Sequence, residues 1–238
     1  MLGCPWPLVY TLKPMPTGRC AKDIPPVEVA RLEPYLLSEA EADAAGHLIA
    51  AAFSPAPMMT FLFPDSERRA LLLPQFFVAM TRLAVRTGKA IGLGHPLQSV
   101  ALWLPPDGES PPEEVSSEAG VPAFIALLDE AETARIGALA TQLEAMVQRS
   151  LTGPHWYLAY AAVAPEHQGR GLGTALVRYT LDQLAPTGLP CYLESADETN
   201  LRFYERLDFQ IADADLVPDS QLRVWVLRRD SPEVPSQR

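Results

Sequence analysis

Residues 163–174 read Val-Ala-Pro-Glu-His-Gln-Gly-Arg-Gly-Leu-Gly-Thr, and the rest of the 238-residue chain is arranged around them. Just before them, His155 to Val163 is a run of aromatic and small apolar residues, which predicts a buried strand. Just after, Leu172, Ala175, Leu176, Tyr179, Gln183 and Leu184 recur at helical spacing, so a helix begins within the glycines. Glycine gives the backbone conformations barred to other residues, and its missing side chain lets a ligand lie against the main chain. The first-turn amides of the helix point outward at the positive end of its dipole, an arrangement suited to phosphate or pyrophosphate. Arg170 can add a charge-assisted contact. Strand, glycine turn and helix together predict an anion cradle.

The glycines fall at 169, 171 and 173, which does not match the Gly-x-Gly-x-x-Gly of a dinucleotide fold. No Gly-Lys-Ser/Thr follows, so the stretch is not a P-loop either. Spacing alone leaves a plain glycine turn between strand and helix as the other reading.

Composition narrows the function classes. With 48% hydrophobic residues the chain can fill an ample core, as one large domain or one domain with decorations, and no apolar run is long enough to span a bilayer. A net charge of −10 argues against non-specific nucleic-acid binding and suits a cationic small partner. Cys4, Cys20 and Cys191 form neither an even disulfide framework nor a metal-ligand spacing, and the histidines are scattered. No metal is therefore expected, and a reducing cytoplasmic setting is. The N-terminus lacks the continuous apolar core of a signal peptide.

Along the chain, residues 1–26 are proline-rich and aperiodic, which predicts a poorly ordered arm or a start upstream of Met15. Val27 to Leu32 alternates as an edge strand does. Ser38 to Glu41 is a capping box that opens a helix over 39–53. The apolar segment 54–64, with Met58, Met59, Phe61 and Phe63, reads as a loop that either tucks onto the core or lines an acceptor pocket. A second helical region covers 66–87, kinked or split by Pro74 and ended by Gly88. Strands over 90–93 and 99–104 pair around Gly94-His95-Pro96. Residues 105–117 read as an exposed connection, and 118–150 as an inserted helical cap. Beyond the cradle come a strand over 191–196, parallel to the first, a short helix over 200–207, and strands over 209–216 and 222–228. A polar tail occupies 230–238.

The cradle resembles a known family. Gln168-Gly169-Arg170-Gly171-Leu172-Gly173, preceded by Val163-Ala164-Pro165, is similar to the Gln/Arg-x-x-Gly-x-Gly/Ala motif of the GCN5-related N-acetyltransferases (GNAT). Asn200-Leu201-Arg202-Phe203-Tyr204-Glu205-Arg206-Leu207-Asp208-Phe209 resembles that family's second signature, with Asp208 where glycine is usual. Asp197 stands where many members carry asparagine. Gly153 to Leu158, Tyr192 to Ser195 and Asn200 to Leu207 look most like puromycin N-acetyltransferase-like bacterial members.

The resemblance implies an α/β fold with a mixed, mostly antiparallel central sheet, helices on both faces, and a splayed parallel strand pair at an acetyl-CoA site. It implies one N-acetyltransferase domain over 27–229. It places the coenzyme against Ala161, Ala162, Val163, Gln168, Gly169, Arg170, Gly171, Leu172, Gly173, Thr174 and Asn200, with Tyr204 as general acid.

Acetyl transfer to an amine also needs a base. Glu194 is the candidate from the residues themselves; as a strand carboxylate it can equally be a hydrogen-bonded structural group. Cys191 lies within a strand, which disfavours a cysteine nucleophile and favours direct transfer. The acceptor is expected to be the primary amine of a small molecule, entering between 54–64, Trp103, His155 and Trp156. The alternatives are a peptide or protein amine acetyltransferase and a non-catalytic acyl-CoA sensor. A monomer and a homodimer are both open.

Overall fold

The computed structural model describes residues 32–106 and 110–231. The expected N-terminal arm, nearly all of the edge strand begun at Val27, and the tail beyond 231 lie outside the described residues. Within them, β1 (Pro34–Leu36), β2 (Lys89–Leu93), β3 (Ser99–Leu104), β4 (Trp156–Val163), β5 (Cys191–Ser195), β6 (Gln210–Leu216) and β7 (Arg223–Arg229) form one sheet. Its order is β1-β2-β3-β4-β5-β7-β6. Every neighbouring pair is antiparallel except β4 and β5.

Helices cover both faces. On one lie α1 (Ala42–Phe53) and α3 (Ser66–Thr87), whose Ile49, Phe53, Leu73 and Phe77 pack with Leu102, Tyr157, Tyr160 and Tyr192 of the sheet. On the other lie α7 (Leu172–Leu184) and α8 (Leu201–Glu205), whose Leu176, Val177 and Tyr204 pack with Trp103, Trp156, Leu158 and Leu193. The apolar stripes on these helices decide this two-sided arrangement.

Local chemistry sets the element ends. Ser38 and Glu41 form the expected capping box, but the turn they close is a 3₁₀ turn, and α1 begins after it. α3 runs unbroken through Pro74. Its buried stripe of Leu72, Leu73, Phe76, Phe77, Met80 and Leu83 outweighs the roughly 3 kcal/mol that an interior proline costs. At the end of α3, Gly88 lies against β3 so closely that a Cβ would fall 2.1 Å from the Trp103 carbonyl oxygen.

The segment 54–64 is not a loop. Its centre is a helix, α2 (Pro57–Leu62), with Pro57 in the first turn, where its missing N–H is harmless. Met58, Met59, Leu62 and Phe63 are buried in the α1–α3 core. The carbonyls at its end are taken by two arginines: Arg135 Nε donates to Leu62 at 2.8 Å, and Arg69 Nη1 to Phe63 at 2.6 Å. The connection before the insert is also shorter than expected. α4 (Glu113–Ala119) starts after Pro112, its glutamates suiting the helix dipole, and is followed by α5 (Val121–Ile125) and α6 (Glu130–Ser150). α4 and α5 pack on α3, while α6 lies against α2, β6 and β7.

β4 contains the irregularity that matters most for the site. Leu102 of β3 pairs with Tyr160, and Trp103 with Leu158, so Ala159 is an extra residue in the ladder. Ala159 and Tyr160 consequently both face the α1–α3 core, while Leu158 and Ala161 face α7. β4 and β5 pair only at Trp156↔Cys191 and Tyr157↔Tyr192. Past that last rung, beside the bulge, the two strands part.

Candidate active site

The cradle is built as its glycines imply. After β4, a 3₁₀ turn over Pro165–His167 leads into Gly169 and Gly171, whose φ angles of 79° and 81° are left-handed. Gly171 is the N-cap of α7. The first backbone bond into the helix runs from the Ala175 amide to the Gly171 carbonyl at 3.0 Å, so the amides of Leu172, Gly173 and Thr174 are those a helix leaves without an intrahelical acceptor. A Cβ on Gly171 would meet nothing within 4 Å, so the cradle opens outward there. Gln168 Nε2 donates to the Val163 carbonyl at 3.1 Å and Arg170 Nη2 to the Glu166 carbonyl at 3.2 Å, which ties the turn back to the strand end.

The splay presents main-chain groups beside this cradle. The Ala164 amide donates to Gln98, and the Ala162 carbonyl accepts the Ser99 hydroxyl at 2.8 Å. By the alternation of an antiparallel ladder, Ala162 turns its main-chain groups to β3, while Ala161 and Val163 turn theirs to the side where β5 has diverged. Of the three alanine and valine positions expected to offer main-chain contacts, Ala162 is therefore the one turned to the β3 ladder, while Val163 has its carbonyl taken by Gln168 and its amide on the open side.

Glu194 lies in the diverged part of β5 and is 1% exposed. Its Oε2 accepts the Tyr157 hydroxyl at 2.7 Å. Burial pushes its carboxyl up to about 8, against the partial counter-effect of that hydroxyl. Glu194 follows Leu193, which faces α7, so its side chain is on the α1–α3 face with Tyr157, Tyr160 and Tyr192. Tyr157 was not singled out by sequence reasoning. Its signal was its place opposite Tyr192 in a parallel strand pair, which only the register reveals.

Tyr204 occupies the opposite face. It is fully buried among α7 and α8 residues, with Phe203 and Phe209 edge-on to its ring. Burial holds its phenol far above the usual range. Its hydroxyl, and the Nδ2 of Asn200 one helical turn earlier, have no hydrogen-bond partner among the described residues.

α8 ends in a Schellman arrangement, with the Phe209 amide bonded to the Tyr204 carbonyl and the Asp208 amide to Glu205, both at 3.1 Å. Asp208 takes the left-handed conformation there, φ 66°, without being glycine. Asp208→Gly should raise stability by up to about 1 kcal/mol in chemical denaturation; a loss would show that the carboxylate is needed at the turn.

Two expectations need correction or support from this geometry. The acceptor route bounded by 54–64, Trp103, His155 and Trp156 is not assembled, because Trp103 and Trp156 pack on the α7 face and 54–64 on the other. The sheet lies between them. Cys191 is buried and free, and burial pushes its thiol up to about 12, which makes it a poor nucleophile. Among the described residues there is no group of three or more His, Cys, Asp or Glu placed to hold a metal, and no helix long and apolar enough to cross a membrane.

Comparison with known proteins supports this architecture. Residues 99–209 match the sequence model described as the acetyltransferase (GNAT) family. Among solved structures, a histone acetyltransferase HPA2 and related acetyltransferase from Corynebacterium glutamicum is 18% identical, with a TM-score of 0.60 over 84% of this chain and 97% of that one. Arylalkylamine N-acetyltransferase 2 from Aedes aegypti is 14% identical, with a TM-score of 0.61 over 85% and 100%. A Drosophila melanogaster polyamine N-acetyltransferase is 13% identical, with a TM-score of 0.52 over 84% and 99%. The fold is that of the GNAT acetyltransferases, and the stretch that matches that family's model runs from β3 to Phe209, cradle and splayed strands included.

Proposed function

We propose that the chain transfers the acetyl group of acetyl-CoA directly to the primary amine of a small molecule. The observation that carries this is that Glu194, in the diverged part of β5, and Tyr204 are both buried, one in the core on each face of the sheet. An acetyl donor threaded through that opening would meet an amine from one face and release its sulfur toward the other.

The residues present suit the coenzyme. Leu172, Gly173 and Thr174 offer amides to its pyrophosphate, with Gln168, Gly169, Arg170 and Gly171 shaping the turn. Ala161 and Val163 offer amides along the opening, and Ala162 supports them from the ladder. The orphaned Asn200 Nδ2 and Tyr204 hydroxyl are polar groups that a polar, sulfur-bearing ligand would satisfy. When bound, acetyl-CoA supplies the activated acetyl thioester.

The chain's own groups then divide the work. Glu194, with its proton affinity raised to about 8, takes the proton of the incoming ammonium directly or through water. The Ala161 and Val163 amides polarise the thioester carbonyl. Tyr204, neutral at any working pH, gives a proton to the leaving sulfur. No covalent enzyme intermediate is required, in keeping with the inert Cys191.

The inner face of α2 is buried in the core on the same side of the sheet as Glu194, which favours an enclosed acceptor site over the open groove a protein substrate needs. The sequence pattern of residues 153–158 and 192–207 adds support for an acceptor of the aminonucleoside or aminoacyl kind, as in puromycin N-acetyltransferase-like members. A single domain, acting in the cytoplasm as monomer or homodimer, completes the proposal.

The test is release of free coenzyme A from acetyl-CoA against puromycin, polyamines, arylalkylamines and short peptides. Turnover confined to one small-amine class is expected. Turnover on peptides alone would overturn the acceptor class, and coenzyme binding without turnover on any amine would favour a sensor.

A further inference from the structure

Glu194 is held from the neighbouring strand. The Tyr157 hydroxyl of β4 donates to its Oε2 at 2.7 Å, reaching from the last rung of the parallel pair to a residue two positions further along β5. Tyr157 has little freedom to do otherwise. Its ring lies face to face on Tyr192, with centroids 4.2 Å apart and planes 5° from parallel. His155 closes edge-on against Tyr192 at 4.8 Å, its own Nδ1 2.8 Å from the Gly153 carbonyl oxygen. The stack therefore sits at the point from which the two strands diverge.

The described residues that pack in the hydrophobic core on the face of Glu194, and the one opposite it on β7, are uncharged. β4 offers Tyr157 and Tyr160, β5 offers Tyr192, and β7 opposes Glu194 with Val226. α1 and α3 surround Tyr160 with Phe53, Phe76 and Phe77. Among the described residues, burial raises the proton affinity of Glu194 and the Tyr157 hydroxyl lowers it.

We propose that Tyr157 is a positioning residue for acetyl transfer, its hydroxyl orienting the Glu194 carboxylate toward the acceptor amine from a ring locked by the Tyr192 stack. The proposal rests on Glu194 being the base. It goes beyond that role by assigning the orientation and the working pH of the base to a residue that acts through Glu194. A hydrogen bond donated to a carboxylate favours its charged form, so removing the donor raises the carboxyl further.

Tyr157→Phe keeps the ring and the stack and removes only the hydroxyl. The acid limb of kcat/KM should move alkaline by about one pH unit, the size that a hydrogen bond to a charged group supports. The plateau kcat should fall about tenfold from loss of orientation, with KM for acetyl-CoA unchanged. An activity-independent readout accompanies it. The pH at which stability stops falling, read from denaturation midpoints, should move up by the same interval.

Glu194→Gln runs alongside. If it removes the acid limb while Tyr157→Phe leaves limb and plateau in place, positioning by Tyr157 is overturned and the base stands. If Glu194→Gln leaves the profile intact, the base role fails and the Tyr157 proposal with it. A stability profile unmoved by Tyr157→Phe would overturn the hydrogen bond itself. Tyr192→Leu, which keeps the hydroxyl but removes the ring it leans on, should shift both readouts in the same direction; unchanged values would overturn the locking role.

Discussion

Glu194→Gln is expected to lower kcat/KM by about 10²–10⁴-fold, the usual contribution of a positioned base, and to abolish an acid limb near pH 8. The same substitution should make the protein more stable at alkaline pH. The folded carboxyl is raised from the ordinary range near 4.5 to about 8, so the native state keeps a proton that the unfolded chain has lost between those values. For a group raised in this way, stability is greatest below the unfolded value and is lost as pH rises toward the folded one. The slope is about 1.4 kcal/mol per pH unit within that window and flattens above it. Glutamine cannot ionise, and its carbonyl can still accept from Tyr157, so the mutant should show no such slope. Denaturation midpoints between pH 5 and 9, measured for both proteins, decide this. Parallel pH profiles would mean that the carboxyl is not perturbed by burial, and unchanged kcat/KM would remove Glu194 from the chemistry.

Tyr204→Phe should separate stability from activity in the same sense. The hydroxyl is buried and has no partner among the described residues, a situation that costs about 1–3 kcal/mol of desolvation. Phenylalanine fills the same space between Phe203 and Phe209 without that cost. The mutant should therefore be as stable as the parent or about 1 kcal/mol more so. If Tyr204 is the proposed general acid, turnover should nevertheless fall by about 10²-fold, through loss of a proton donor to the leaving sulfur. Binding of acetyl-CoA, followed by calorimetry, should weaken only slightly. A destabilised mutant with normal turnover would mark Tyr204 as a core residue whose hydroxyl serves packing alone. A stabilising change that removes activity is the mark of a group retained for function.

The parts of the fold that were legible in the sequence are those set by local chemistry. The cradle was readable because two left-handed positions demand glycine and because α7 announces itself by spacing. The parallel strand pair followed from a strand–helix–strand order that has few alternatives. The elements that were missed depend on tertiary contacts. α2 hides behind Pro55 and Pro57, which read as loop residues until the first-turn position of Pro57 and the arginines on its terminal carbonyls are known.

Side-chain direction was the harder problem at the site. Trp156 to Val163 is buried throughout, so no alternation marks which residues face α7 and which face α1, and the bulge that breaks the alternation leaves no trace in composition. The expected meeting of Trp103 with 54–64 failed for that reason. Tyr204 and Glu194 could be named from the chain, but their separation onto opposite faces could not.

The extra residue in β4 also bears on how gaps in aligned sequences are interpreted. Because Ala159 and Tyr160 face the same way, deleting Ala159 would leave Trp156, Leu158, Ala161 and Val163 toward α7 and Tyr157, Tyr160 and Ala162 toward α1, in unbroken alternation. The hydrophobic interior would survive intact. What would go is the bend that carries β4 away from β5, and with it the opening between them. A shortened homologue of this kind would look conservative in every buried position, express well, and have no place for a thioester.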